Sequence, residues 1–111
     1  MKINASAFER MQKGIKKREY RVHDEKRQQV KIGDTVMFQK LPDLTESIEM
    51  KIEDIQHYDS LQAAIEPHFE EDFKPRYQTR KKTIASFFQN KYSTEEKVKQ
   101  YGMVVFYMIP K

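Results

Sequence analysis

Residues 14–38 read GIKKREYRVHDEKRQQVKIGDTVMF, and this stretch decides the fold. A glycine opens it, and eight of the next twelve residues are charged. It still carries two β signals. KKREYRV (16–22) alternates around Tyr20 and Val22, residue types that suit a pleated strand. VKIGDTVMFQKL (30–41) sets Val30 and Ile32 before a turn at Gly33-Asp34, and Val36 and Phe38 alternate after it. Strand periodicity sends Lys17, Glu19 and Arg21 to one face and Arg18, Tyr20 and Val22 to the other. Tyr20 and Val22 belong to a core, so the charged trio faces a cleft or solvent.

Upstream, SAFERMQKG (6–14) predicts a short helix. Ser6 and Glu9 form a capping box, Phe8, Met11 and Ile15 share a face, and Gly14 ends the helix in a left-handed turn. Downstream, PDLTE (42–46) is a loop, and ESIEMKIEDI (46–55) is a half-buried strand in which Ile48, Met50 and Ile52 alternate with Glu49, Lys51 and Glu53. SLQAAIE (60–66) is a short helix stopped by Pro67, and PHFEEDFKPRY (67–77) an irregular loop or a single turn. RKKTIASFFQNKY (80–92) predicts an amphipathic helix with Phe87 and Phe88 in the core; its basic first turn opposes the helix dipole. STEEKVKQYG (93–102) repeats the capping-box pattern at Ser93 and Glu96, and MVVFYMI (103–109) is a buried final strand. The order α-β-β-β-α-α-α-β, with short strands and tight turns, predicts an α+β fold. Short helices flank an essentially antiparallel sheet that hides its edges by curling into a small β-barrel.

The chain has 111 residues, 38% hydrophobic and 34% charged, which predicts one globular domain over residues 1–111. Cysteine is absent, which excludes a disulfide framework and thiolate chemistry. There is no apolar run of signal-peptide length and no segment fit to span a bilayer, so a soluble cytoplasmic protein is expected. The charge is unevenly divided. Residues 1–40 hold eleven Lys+Arg against five Asp+Glu, residues 41–72 one against ten, and residues 73–111 nine against two. Two basic segments flank an acidic one, a pattern suited to a polyanion on one side of the molecule or to mutual neutralisation within it.

Gly14, Lys16, Glu19, Arg21, Asp24, Gly33 and Asp34 follow one another in an order and spacing that resemble the ASCH domain (activating signal cointegrator homology), a branch of the PUA-like barrels. Tyr92, Glu95, Tyr101 and Gly102 before the last strand resemble the family's close, so the resemblance covers nearly the whole chain. It implies a PUA-like barrel whose cleft, beside the first helix, binds RNA or a nucleotide. Some small members hydrolyse the amide of N-acetylcytidine.

The residues supply the chemistry for the first function. Lys16 and Lys17 suit phosphate. Arg21 offers a planar fork for phosphate or a base edge, and Glu19 an acceptor for an exocyclic amine. The bland alternative is a Glu19–Arg21 ion pair that only braces the strand. Arg76, Tyr77 and Arg80, within RYQTRKK, interleave an aromatic with cations as a stacking platform does, and as a solvated helix start also does. Asp24 and Asp34 are turn residues that accept backbone N–H groups. His23, His57 and His68 lack ligand spacing, so no metal site is expected. For amide hydrolysis the resemblance implies a catalytic lysine, matched by Lys16. Glu19 stands where a threonine is needed, Lys17 where another threonine would be, and no glutamate precedes the late helix. The expectation is therefore a monomeric module, without cofactor, that holds RNA or a nucleotide-like ligand in a basic cleft between the barrel and its helices through Lys16, Lys17, Glu19, Arg21, Arg76, Tyr77 and Arg80. A divergent N-acetylcytidine-type amidohydrolase using Lys16 is the alternative.

Overall fold

The computed structural model describes every residue from Met1 to Lys111. The elements are β1 (Lys2–Ile3), α1 (Ala5–Gln12), β2 (Arg18–Val22), β3 (Thr35–Lys40), β4 (Ser47–Tyr58), α2 (Leu61–Ile65), α3 (Phe69–Asp72), α4 (Lys74–Tyr77), α5 (Arg80–Phe87), α6 (Glu95–Tyr101) and β5 (Met103–Pro110), with a 3₁₀ turn at Arg27–Gln29. The strands form one sheet in the order β1-β3-β4-β5-β2. It is mixed and curled as a half-barrel and, with six short helices, makes the expected α+β fold. The sheet is not purely antiparallel, because the short β1 pairs with β3 in parallel. No helix is long and apolar enough to cross a membrane. The chain packs as two compact units, the first comprising Met1–Glu19, Lys31–Ile55 and Phe106–Lys111, the second Tyr20–Val30 and Gln56–Val105.

In the first unit, α1 buries Ala7, Phe8 and Met11 against a core that includes Ile3, Phe38, Met50, Ile52, Phe106 and Met108. The helix starts earlier than a Ser6 cap allows: Asn4 is the N-cap, and its side chain accepts from Ala7 N at 2.8 Å. Glu9 pairs instead with Lys13, one turn on. The other end closes as expected. Gly14 has φ 76°, Gly14 N–H donates to Met11 O and Ile15 N–H to Arg10 O, the two bonds of a Schellman motif. In β4, Met50 and Ile52 face inward while Glu49, Lys51 and Glu53 stay exposed, as the alternation predicts.

Val30 and Ile32 are not strand residues. Asp34 N–H donates to Lys31 O, and Lys31 N–H to the Asp34 carboxylate at 2.9 Å, so residues 31–34 close into a turn and Ile32 is 62% exposed. The ladder to β4 begins only where Gly33 N–H meets Ile52 O. Asp34 thus has the turn role read from the sequence, and Asp24 has one too, accepting from Arg27 N–H at 3.0 Å.

The second unit packs Tyr20, Val22, Leu61, Ala64, Ile65, Phe69, Phe73, Val98 and Met103–Val105. PHFEEDFKPRY is neither an irregular loop nor one turn but two one-turn helices, α3 and α4. Phe69 and Phe73, four residues apart, are both buried and anchor them, and the Tyr20 hydroxyl donates to Asp72. α6 starts one residue later than a Ser93 cap would place it: Thr94 accepts from Lys97 N–H. α5 is less amphipathic than its spacing predicts. Thr83 is its buried residue, and Ile84, Phe87 and Phe88 are only half-buried, so the two phenylalanines do not form core.

Candidate functional site

The Schellman turn determines where the basic residues go. Arg10 O accepts from both Ile15 N–H and Lys16 N–H, which bends the chain sharply out of α1. Lys17 O then accepts from Met108 N–H at 2.9 Å, fixing the segment along β5 before β2 begins. Lys16, Lys17 and Arg18 are thereby delivered to the wall of a cleft of about 310 Å³ in the first unit. Met11, Met50 and Met108, each at most 3% exposed, lie at its base, and Tyr107 and Glu53 also line it. The volume is at the small end of the range for ligand pockets.

The cations differ in what they do. The Lys16 ammonium donates to Arg18 O at 2.8 Å and pairs with Glu19 Oε1 at 3.5 Å. Lys17 is exposed. Arg18 is 8% exposed, and its guanidinium sits 5.8 Å from the centre of the Tyr107 ring, a cation–π distance. The charged face expected of Lys17, Glu19 and Arg21 is therefore not uniform. Glu19 is buried at 7% exposure and serves Lys16, Lys17 is open to solvent, and Arg21 is half-buried.

Of the predicted residues, Lys16, Lys17 and Glu19 belong to the first unit and Arg21, Arg76, Tyr77 and Arg80 to the second. Arg76 stacks over the Tyr77 ring at 4.9 Å and donates to Asp72 O at 2.7 Å. Arg80 is occupied: Nε and Nη2 donate to the two Glu66 carboxylate oxygens at 2.7 and 2.8 Å, and its guanidinium lies 4.3 Å from the Phe69 ring centre. The hydrogen bond from Arg80 holds the Glu66 carboxyl below its ordinary pKa, and Glu66 raises that of Arg80. This pair offsets part of the cost of a basic first turn on α5. His23 stacks on His57 with ring centres 4.3 Å apart. Burial lowers the His23 pKa first, the charge of His57 lowers it further, and Asp24 opposes both.

Sequence reasoning missed Arg18, Tyr107 and Glu53 as cleft residues. Two signals were present: an arginine on the same strand face as Tyr20 and Val22, and a single tyrosine inside the otherwise apolar MVVFYMI.

The family model for the ASCH domain matches residues 1–110. The chain belongs to the ASCH domain family. The crystal structure of hypothetical protein PH0355 resembles this ASCH domain with a TM-score of 0.79 at 27% identity, covering 100% of both chains. The solution NMR structure of protein PF0455 from Pyrococcus furiosus does so with a TM-score of 0.69 at 25% identity, over 99% of this chain and 97% of the other. No curated protein matches it.

Proposed function

We propose that this ASCH domain binds single-stranded RNA or a free nucleotide, with one unpaired nucleotide in the methionine-floored cleft. The observation that carries this reading is the convergence of Lys16, Lys17 and Arg18 with Tyr107 on one cleft. Single-strand recognition needs a π-face for the base and cations for the backbone, and this wall offers both. Lys17 contacts phosphate, Tyr107 supplies the ring surface, and Glu19 acts through Lys16 as a positioning residue. Arg76 and Tyr77 add a second cation–aromatic pair on the other unit. In this reading Arg80, paired with Glu66, holds α5 and is not required for contact with RNA. Membership of the family supports nucleic-acid-like binding in general.

The test is anisotropy of a labelled RNA oligonucleotide across a salt series. Affinity is expected to fall steeply, and Lys17→Gln to flatten the log–log slope by about 0.7, the share of one phosphate on a single strand. Tyr107→Leu is expected to weaken binding by about 1–3 kcal/mol with the slope unchanged. A slope near zero in the wild type overturns the reading. So does binding indifferent to both substitutions.

A further inference from the structure

We infer that Glu53 reads the base in this cleft and selects guanine. The inference rests on the nucleotide-binding reading above. Among the side chains lining the cleft, Lys16, Lys17 and Arg18 are donors only, and Tyr107 has a hydroxyl that donates or accepts. Glu53 is the one carboxylate, an acceptor only, and it makes no hydrogen bond or ion pair within the protein. It projects from β4, whose neighbouring Ile52 is fully buried, so its backbone is fixed while its head group is exposed. A ligand that satisfies both kinds of group is therefore anionic where it meets the cations and carries N–H donors where it meets Glu53.

Nucleotides meet the first condition through phosphate. The bases differ on the second. The Watson–Crick edge of guanine presents N1–H beside the N2 amino group, two adjacent donors that match the two oxygens of a carboxylate. Adenine and cytosine each place a ring-nitrogen acceptor beside their amino group, which repels one of those oxygens. Uracil has one N–H between two carbonyls. A bidentate match is the arrangement that gives strong base discrimination, and the methionine floor beneath it accepts a flat ring of either size.

The experiment is an NMR-monitored titration with the 5′-monophosphates of guanosine, adenosine, cytidine and uridine, on the wild type and on Glu53→Gln. Glu53 is exposed, so the substitution leaves the fold intact, and matching backbone spectra check that. The wild type is expected to bind the guanosine nucleotide about tenfold or more tighter than the uridine nucleotide. Glutamine offers one acceptor and one donor side by side, which complements an acceptor–donor edge. E53Q is therefore expected to lose the guanosine preference and gain affinity for the adenosine nucleotide, a reversal that a merely structural residue does not produce. Equal affinities across the four nucleotides in the wild type, or a guanosine preference that survives in E53Q, overturn the inference while leaving nucleotide binding intact. If no nucleotide binds and RNA does not either, the binding reading itself falls, and the inference with it.

Discussion

Glu19 holds an ammonium where water barely reaches, and removing either partner alone is expected to be costly. The Lys16 and Glu19 side chains are 11% and 9% exposed, with 3.5 Å between Nζ and Oε1. At an effective dielectric of about 20, two unit charges at that distance attract by roughly 5 kcal/mol. Desolvation offsets much of that gain while the pair is intact. Breaking the pair takes from a buried charge the opposite charge 3.5 Å away, a loss of about 3–5 kcal/mol. Lys16 keeps its hydrogen bond to Arg18 O, which moves Glu19→Gln toward the lower end, about 3 kcal/mol. Lys16→Met takes the ammonium away from the buried Glu19 carboxylate and costs a similar amount. The double variant removes both charges together, so its loss falls short of the sum of the singles by about 2 kcal/mol or more. Urea unfolding of the four proteins, compared at equal m-values, measures this coupling. A coupling below about 0.5 kcal/mol would refute the reasoning, because it would mean that water screens the pair as it does at a surface.

Gly14 and Gly102 both have positive φ, 76° and 74°, but a Cβ at Gly14 meets nothing within 4 Å while one at Gly102 lies 2.8 Å from Tyr58 O. Gly14→Ala is expected to cost about 1–2 kcal/mol for its left-handed backbone alone, and Gly102→Ala clearly more; equal losses in thermal unfolding would contradict the contact. His23 is expected to titrate below its ordinary value of about 6.5. Between the folded and unfolded pKa values the unfolded chain holds more protons, so stability contributed by neutral His23 is complete above about pH 7 and falls with acidification through that window. Two-dimensional NMR of the imidazoles measures the shift, and a pH–stability slope unchanged in His23→Gln would rule the linkage out. With Lys16 engaged by Glu19 and Arg18 O, and Glu19 in place of a threonine, the protein is expected to leave the amide of N-acetylcytidine intact; turnover that vanishes in Lys16→Ala would reverse this.

The α+β class and most elements were legible because their signals are local. Alternation marked β4, a buried apolar run marked β5, and Gly14 and Gly102 marked two helix ends. Both caps were misplaced because serine, threonine and asparagine at neighbouring positions compete, and packing at the helix start chooses among them; Asn4 and Thr94 won over Ser6 and Ser93. Val30 and Ile32 look like strand by residue type, yet the Asp34 carboxylate captures Lys31 N–H and turns the chain first. Two-residue β1 carries too little pattern to read. Lys16 and Lys17 line the cleft because they follow closely on the helix-ending glycine. Arg18, Tyr107 and Glu53 were not legible as cleft residues, because three separate strands bring them to one cleft and no sequence spacing encodes that. The burial of Glu19 was hidden for a similar reason: alternation assigns two faces to a strand but does not say that both are covered.

In the proposed site the three methionines beneath the cleft and the residues around it divide the labour of recognition. Met11, Met50 and Met108 have unbranched side chains with several rotatable bonds and a polarisable sulfur, so the few atoms they show to the cleft adapt to a surface laid on them more readily than branched side chains do. The rim, by contrast, sets charged side chains and Tyr107 beside Gly14, Ile109 and Pro110, and its charged groups are choosy. Fit is left to a soft bed and identity to a hard edge. If the proposed site works this way, one ligand is exchanged for another by a single replacement at the edge, the bed adjusting beneath it. Its vulnerability lies in the same atoms, since oxidation of a thioether to its sulfoxide would stiffen and wet the bed while every rim residue stayed in place.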